Sequence, residues 1–281
     1  MALWGDFGSY QNNDNNNKNE LIYHRDRMLR WKLDQHRALL SYGYRHSLVR
    51  DILDREYRKE SFGRWCEYPR IIAENEGFHF AEETPHGNLR EIFVEGIYNV
   101  PGFIPKSGDT VIDIGASYGD TAVWYSKKFG AKVIAFEPLR DVYEILLKNV
   151  GMNGVDIKSY SIALGNRSEV RMERSGDMMI MGGAEKIETR NLDSFDLKGV
   201  DLLKIDVEGF ERQVLEGSRK TIDKFRPKII IEVHSRRLKR ESDVFLRTLG
   251  YRLVFSGSER KRVSRNMDLV QNLFYDYERE S

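Results

Sequence analysis

Val111-Ile112-Asp113-Ile114-Gly115-Ala116-Ser117-Tyr118-Gly119-Asp120-Thr121 is the stretch that decides the fold. An apolar strand runs into a carboxylate, Asp113. A tight turn containing Gly115 and Gly119 follows, and a helical pattern begins at Gly119. Glycine lets the chain turn sharply and lets a ligand approach the main chain closely. Strand, glycine turn and helix in this order form the opening unit of a nucleotide-cofactor fold.

Outward from this unit, strands and helices alternate. Lys132–Phe136 reads as a strand ending at Glu137-Pro138, and Arg140–Asn149 as a helix. Ile157–Ala163, Leu202–Val207 and Lys228–Val233 read as strands, with helix over Phe210–Phe225 and Ser242–Leu249. Val170–Arg190 alternates weakly, as hairpins do. Tyr251–Phe255 and Leu269–Tyr275 close the chain as two strands joined by a loop alone, which implies one antiparallel edge. Repeated alternation predicts an α/β fold with a mainly parallel sheet covered on both faces.

Toward the N-terminus the pattern changes. Residues 1–19 end in Q-N-N-D-N-N-N-K-N, which has nothing to bury and reads as a disordered tail. Residues 20–90 read as a mainly helical segment, a candidate cap over the acceptor or an assembly region. Within it, Phe78-His79-Phe80 suggests a short strand, as does Ile92-Phe93-Val94 just beyond. The main domain is expected over residues 91–281.

Composition narrows the function classes. The 281 residues carry a net charge of +1, so no global field recruits nucleic acid or membrane. The one cysteine, Cys66, excludes an intrachain disulfide and a cysteine-based zinc site. No apolar run reaches spanning length, and Met1–Tyr10 lacks a signal-peptide layout, so a cytoplasmic protein is expected. Oligomeric state is not legible.

Ligands of open α/β sheets sit beyond the carboxyl ends of the strands. Asp113 and Glu137 would end adjacent strands there, and Glu137 can accept hydrogen bonds from ribose hydroxyls. A dinucleotide turn needs G-x-G-x-x-G with a helix N-terminus aimed at pyrophosphate. This chain has Ser117 at the third position and Asp120 at the sixth. An anion at the helix start repels pyrophosphate and suits a cationic ligand. S-adenosylmethionine, with an ammonium, a sulfonium and no phosphate, is favoured over NAD.

A second dense segment is Leu202-Leu203-Lys204-Ile205-Asp206-Val207-Glu208-Gly209. Residues i and i+2 share a strand face, so Lys204 and Asp206 lie together, and they pair if buried. Ile229-Ile230-Ile231-Glu232-Val233-His234 repeats the form, with Glu232 a possible partner for Lys204.

Taken together these segments resemble the FkbM-type family of S-adenosylmethionine-dependent methyltransferases. The resemblance is carried by Glu91–Tyr98 (E-I-F-V-E-G-I-Y), Val111–Ala116, Phe136-Glu137-Pro138, Ala163-Leu164-Gly165, Leu192-Asp193-Ser194-Phe195, Lys204–Gly209 (K-I-D-V-E-G) and Ile231–His234 (I-E-V-H). It covers roughly Glu91 to Tyr251; Ser117 departs from it, standing where the family often has Asn. It implies a class I methyltransferase fold, a Rossmann-like seven-stranded sheet with its last strand reversed. It also implies methyl transfer, commonly to a hydroxyl on a sugar or secondary metabolite.

On that reading Asp113, Gly115, Ala116, Ser117, Gly119, Asp120, Thr121, Glu137 and Pro138 bind the cofactor. Ser161 and Ala163 pass the adenine edge, and Asp206 sits near the methionine end. His234 or Glu208 acts as base. Asp206, Glu208 and His234 could instead gather a divalent ion, although spacing on separate strands says nothing about coordination, and no metal set is assigned. The acceptor is a small molecule or glycan. Arg236-Arg237-Leu238-Lys239-Arg240 keeps RNA or another polyanion as an alternative acceptor. A non-catalytic cofactor-binding or assembly protein is a third reading.

Overall fold

In the computed structural model, residues 68–175, 178–181, 185–259 and 268–278 are described. The expected tail over residues 1–19 and most of the helical segment over 20–90 lie outside them.

The first strand, β1 (Thr110–Ile114), forms where the apolar run predicts it. Gly119 sits in the left-handed region and opens α3 (Asp120–Phe129), counting two earlier helices, α1 (Tyr68–Asn75) and α2 (His86–Phe93). Then come β2 (Lys132–Phe136), α4 (Arg140–Asn153), β3 (Ile157–Tyr160) and four short strands: β4 (Ala163–Leu164), β5 (Glu169–Ser175), β6 (Met178–Met181) and β7 (Glu185–Arg190). The chain continues with β8 (Leu202–Ile205), α5 (Glu211–Gly217), α6 (Arg219–Phe225), β9 (Lys228–Val233), α7 (Arg236–Thr248), β10 (Tyr251–Ser256) and β11 (Gln271–Tyr277).

Seven strands form the main sheet in the order β10-β11-β9-β8-β1-β2-β3. β3, β2, β1, β8 and β9 are parallel, and β11 runs antiparallel to both β9 and β10. The expected seven-stranded, mainly parallel sheet is present. Its reversed strand inserts between β9 and β10, so the antiparallel pairings occupy that edge with β10 outermost. The weakly alternating 170–190 region forms a separate antiparallel ribbon, β7-β5-β6, with β4 joined parallel to β7.

Alternation sorts each strand between two apolar layers. Ile112, Ile114, Leu203, Ile205, Ile229, Ile231 and Val233 face one core. Val111, Leu202, Ile230 and Phe274 face the other. Asp113, Lys204 and Glu232 stand on the strands at positions alternating with the first set. They therefore share the second face, and register sets Asp113 directly beside Lys204.

Two short expected strands are corrected. Ile92 and Phe93 end helix α2, where Leu89, Ile92 and Phe93 form an i, i+3, i+4 buried stripe. Phe78–Phe80 is irregular and packs its rings on Phe93. A three-residue apolar run fits either helix or strand, and only its neighbours decide. Both helices share the core of the sheet: Ile72, Leu89 and Phe93 cluster with Val111, Val123 and Leu146. Two buried asparagines of α4 fasten the intervening loop. Asn149 accepts from the Ala81 amide at 2.7 Å and donates to Thr84 Oγ1 and the Tyr118 carbonyl, both at 2.8 Å. Asn153 accepts from the His79 amide at 3.0 Å.

Candidate active site

Strand order reverses between β1 and β8, because the chain builds β1, β2 and β3 to one side and β8 and β9 to the other. That switch point is where an open α/β sheet leaves a crevice. Two loops meet there, and they meet through their backbones. The Asp206 amide donates to the Ile114 carbonyl at 2.9 Å. A Cβ built on Gly115, at φ +76, would lie 1.7 Å from the Asp206 carbonyl oxygen. Gly115 is thus required by its φ and by the approach of the neighbouring loop. Ser117 and Glu208, one from each loop, both hold φ +49, an uncommon conformation for a side-chain-bearing residue.

The residues expected to bind the cofactor gather around this loop. Glu137 accepts from the Ser117 amide and the Leu139 amide, each at 2.9 Å, so it braces the turn. Burial is the main cause that pushes its carboxyl up to about 7, against those two amide bonds. Asp120 is 5% exposed and burial pushes it up to about 6, opposed by the Lys204 charge. Thr121 and Ala116 are buried and Pro138 is half-buried. The Tyr160 carbonyl accepts from the Glu137 amide at 3.1 Å, which sets Ser161 and Ala163 beyond the end of β3; Ser161 is exposed and Ala163 buried.

Asp113 is placed differently from expectation. It lies one residue inside the end of β1, has no exposed surface, and accepts from Lys204 Nζ at 3.0 Å. Lys204 is 3% exposed, lies 3.9 Å from Asp206, and sits under the Tyr98 ring at 5.6 Å. Burial raises the Asp113 pKa and the lysine opposes it; the acids around Lys204 hold its ammonium charged despite burial. Lys204 therefore pairs first with Asp113 and only second with Asp206. Glu232, the other expected partner, instead accepts from Asn272 at 2.9 Å.

His234 is the centre of a cluster of four acids. Its Nδ1 is 2.6 Å from Oε1 of Glu211, and both side chains are fully buried. Its Nε2 faces Glu208 at 3.2 Å, Glu232 at 3.5 Å and Asp206 at 3.9 Å. Burial alone would keep the imidazole neutral, but the Glu211 carboxylate bonded to Nδ1 and the Glu232 carboxylate beside Nε2 outweigh it and carry its pKa well up. Asp206 is raised in turn, first by burial and then by Glu232. Asp206 and Glu208 are 26% and 19% exposed, whereas His234 is 0%. A ligand entering the crevice meets the two carboxylates before the ring. The structure thus brings Asp206, Glu208 and His234 together, with His234 behind the other two.

Other contributors escape sequence reading. Asn88 of α2 reaches Asp120 Oδ1 at 3.4 Å and Ser117 Oγ at 3.5 Å, so the N-terminal segment touches the loop. Phe136, Tyr160 and Phe195 pack their rings together beside the Glu137 end of the sheet. Asp193, in Leu192–Phe195, turns out to hold a helix: its carboxylate accepts from the Lys220 and Thr221 amides and the Thr221 hydroxyl, fixing the start of α6. The basic stretch opens α7 on a Ser235 cap, and two of its exposed arginines meet nearby acids, Arg237 with Glu241 and Arg236 with Asp268 and Glu259. Among the described residues no helix is long and apolar enough to cross a membrane.

Residues 113–253 match the family model described as the methyltransferase FkbM domain. The AMB antimetabolite synthetase AmbE of Pseudomonas aeruginosa is 26% identical over 200 residues, spanning 53% of this chain and 9% of that protein. Methyltransferase sdnD of Sordaria araneosa is 26% identical over 175 residues, 46% of this chain and 66% of that one. The chain thus spans less than two thirds of the length of either relative. Among solved structures, methyltransferase FkbM from Methylobacillus flagellatus KT aligns over 80% of this chain and 61% of its own, at 18% identity and a TM-score of 0.41. The family match, which runs from Asp113 near the end of β1 to Leu253 midway along β10 and takes in every acid around His234, covers half of the sequence: the chain belongs to the methyltransferase FkbM domain family.

Proposed function

We propose that this chain is an S-adenosylmethionine-dependent methyltransferase acting on a hydroxyl oxygen of a sugar, glycoconjugate or small metabolite. The observation that carries this reading is the contact of two loops at the switch point. One is the glycine turn. The other presents the half-buried carboxylates of Asp206 and Glu208.

The residues present fit such a donor. Asp120, Glu137 and Asp206 make the crevice acid-rich, and its lysine is committed to Asp113, which suits a cationic ligand without phosphate and not a pyrophosphate. When bound, S-adenosylmethionine supplies a methyl group on a sulfonium. The 115–121 loop and Glu137 with Pro138 would hold it, Glu137 by accepting from ribose hydroxyls with lone pairs beyond those given to its two amides. Phe195, Tyr160 and the Ser161–Ala163 turn would border the adenine. Asp206 would lie at the methionine end.

Transfer to an alcohol needs its proton removed. Glu208 is assigned that role: its carboxylate would accept the proton of the acceptor hydroxyl as the methyl group is transferred. His234, lacking exposed surface, positions the carboxylates. Much of the rate would come from holding nucleophile, methyl carbon and sulfur in line. A cytoplasmic location and a small-molecule or glycan acceptor belong to the same proposal. The local pairing of Arg236 and Arg237 speaks against a polyanion surface. The test is transfer of labelled methyl from S-adenosylmethionine to a panel of hydroxylated sugars, glycolipids and RNA. Glu208→Gln should lose at least 100-fold in turnover while retaining donor binding. Equal turnover in the variant, or transfer to RNA alone, overturns the assignment.

A further inference from the structure

The geometry points to a divalent-cation site formed by His234 Nε2 with one carboxylate oxygen each from Asp206 and Glu232. The inference deepens the reading above by naming what the acid–imidazole pocket holds. The site stands on geometry; only its use in methyl transfer rests on that reading.

Three observations carry it. First, one ligand atom from each of the three residues can be chosen so that all lie within 4.8 Å of one another. The nitrogen–oxygen separations are 3.5 Å to Glu232 and 3.9 Å to Asp206. A four- to six-coordinate ion with ligands near 2.1 Å needs neighbouring ligands roughly 3.0–3.5 Å apart, so the two nitrogen–oxygen separations need only a few tenths of an ångström, and the two carboxylate oxygens would draw together by up to about 1 Å. Second, Nε2 is buried and makes no hydrogen bond of proper geometry, although it points into this group of oxygens. A divalent ion placed there would take the Nε2 lone pair in place of a proton. Third, the other ring nitrogen is fixed. Glu211, buried at 0% exposure, takes Nδ1 at 2.6 Å and is itself held by the Gly209 amide at 3.0 Å. A carboxylate on the far nitrogen is the outer support that metal-binding histidines carry, setting both the tautomer and the ring angle.

The remaining contacts agree. Glu232 gives its other oxygen to Asn272 at 2.9 Å, which aims Oε1 toward His234. Glu208, 3.2 Å from Nε2, stands at the rim with part of its surface exposed. One imidazole with two carboxylates selects a divalent first-row ion of the Mn2+, Fe2+ or Zn2+ kind over Ca2+, which takes oxygen ligands alone. An acceptor hydroxyl bound to such an ion would lose its proton to Glu208 more readily.

The experiment titrates the full-length protein with Mn2+ and reads bound ion by electron paramagnetic resonance, with S-adenosylmethionine binding measured separately by calorimetry. One bound Mn2+ per chain, with nitrogen hyperfine coupling from an imidazole in the pulsed spectrum, is expected. Glu232→Gln should weaken Mn2+ binding at least tenfold, and Glu211→Gln roughly 10- to 100-fold. The pulsed spectrum of the unaltered protein needs no variant, so a misfolded substitution does not blunt the test. Absent binding at millimolar Mn2+, or bound Mn2+ without imidazole coupling, overturns the site. Metal binding with imidazole coupling but no donor binding supports the site and rejects the methyl-donor reading; the reverse pair rejects the site alone.

Discussion

Gly115→Ala perturbs the point on which both loops depend. The added methyl would lie 1.7 Å from the Asp206 carbonyl oxygen and 2.8 Å from its carbon, where Cβ atoms essentially never come closer than 3.0 Å. The obstacle is backbone, so no side chain can swing away. The Asp206 peptide has to retreat by more than about 1 Å, a misplacement that can lower turnover by about 100-fold when it moves a catalytic group. Retreat also breaks the Asp206–Ile114 hydrogen bond. Left-handed backbone at alanine adds about 1–2 kcal/mol and overpacking another 1–3 kcal/mol, a total near 2–5 kcal/mol. A fold of this size has about 5–15 kcal/mol in reserve, so the variant should fold with a melting temperature lowered by roughly 5–15 °C. Two companions calibrate the result. Gly119→Ala meets the Leu146 side chain at 2.7 Å, and Gly209→Ala meets nothing within 4 Å, so the latter suffers only its φ of +102. Thermal melts and donor calorimetry on all three should rank Gly115→Ala worst and Gly209→Ala mildest in stability. Equal effects at positions 115 and 209 would refute the close-approach argument.

Lys204→Met leaves the Asp113 carboxylate buried without its cation and should destabilise by about 3–5 kcal/mol in urea denaturation. Adding Asp113→Leu should restore most of that loss; a double variant no better than the single one contradicts the pairing. Glu137 titrates near 7 in the fold against an ordinary 4.5, so the native state binds the proton longer than the unfolded chain. Its contribution makes stability fall as pH rises from about 4.5 to 7 and level above that, and Glu137→Gln should remove this part of the slope in pH-dependent melts. If the slope is unchanged, the carboxyl is not held protonated by burial. Asn88→Ala removes two long hydrogen bonds to the glycine turn, at Ser117 and Asp120, and should weaken S-adenosylmethionine binding by less than tenfold with turnover otherwise intact; no change at all would detach α2 from the site.

The strand–turn–helix at 110–129 was legible because its periodicity, its glycines and its acid agree with one another. The order of the sheet followed from alternation, but the insertion of β11 between β9 and β10 did not, since strand neighbours are chosen by tertiary packing. Lys204 announced a buried pair, yet its partner lies 91 residues away across a parallel register that sequence spacing cannot supply. The same holds for Glu211, which lies inside the stretch Phe210–Phe225 read as a helix and proves to be the anchor of His234. Asp113 shows the limit of reading a strand end to the nearest residue: one position inward turns a crevice acid into a buried counter-ion. Conversely, Asp206, Glu208 and His234 were visible because acids and a histidine at the ends of isoleucine-rich strands conflict with burial unless something gathers them.

The central claim is that this glycine turn and acid-rich crevice hold a cationic methyl donor. Isothermal titration of the full-length protein with S-adenosylmethionine and, separately, with NAD tests it most directly. The account requires one S-adenosylmethionine bound per chain and no heat of binding from NAD; saturable binding of NAD with none of S-adenosylmethionine would contradict it.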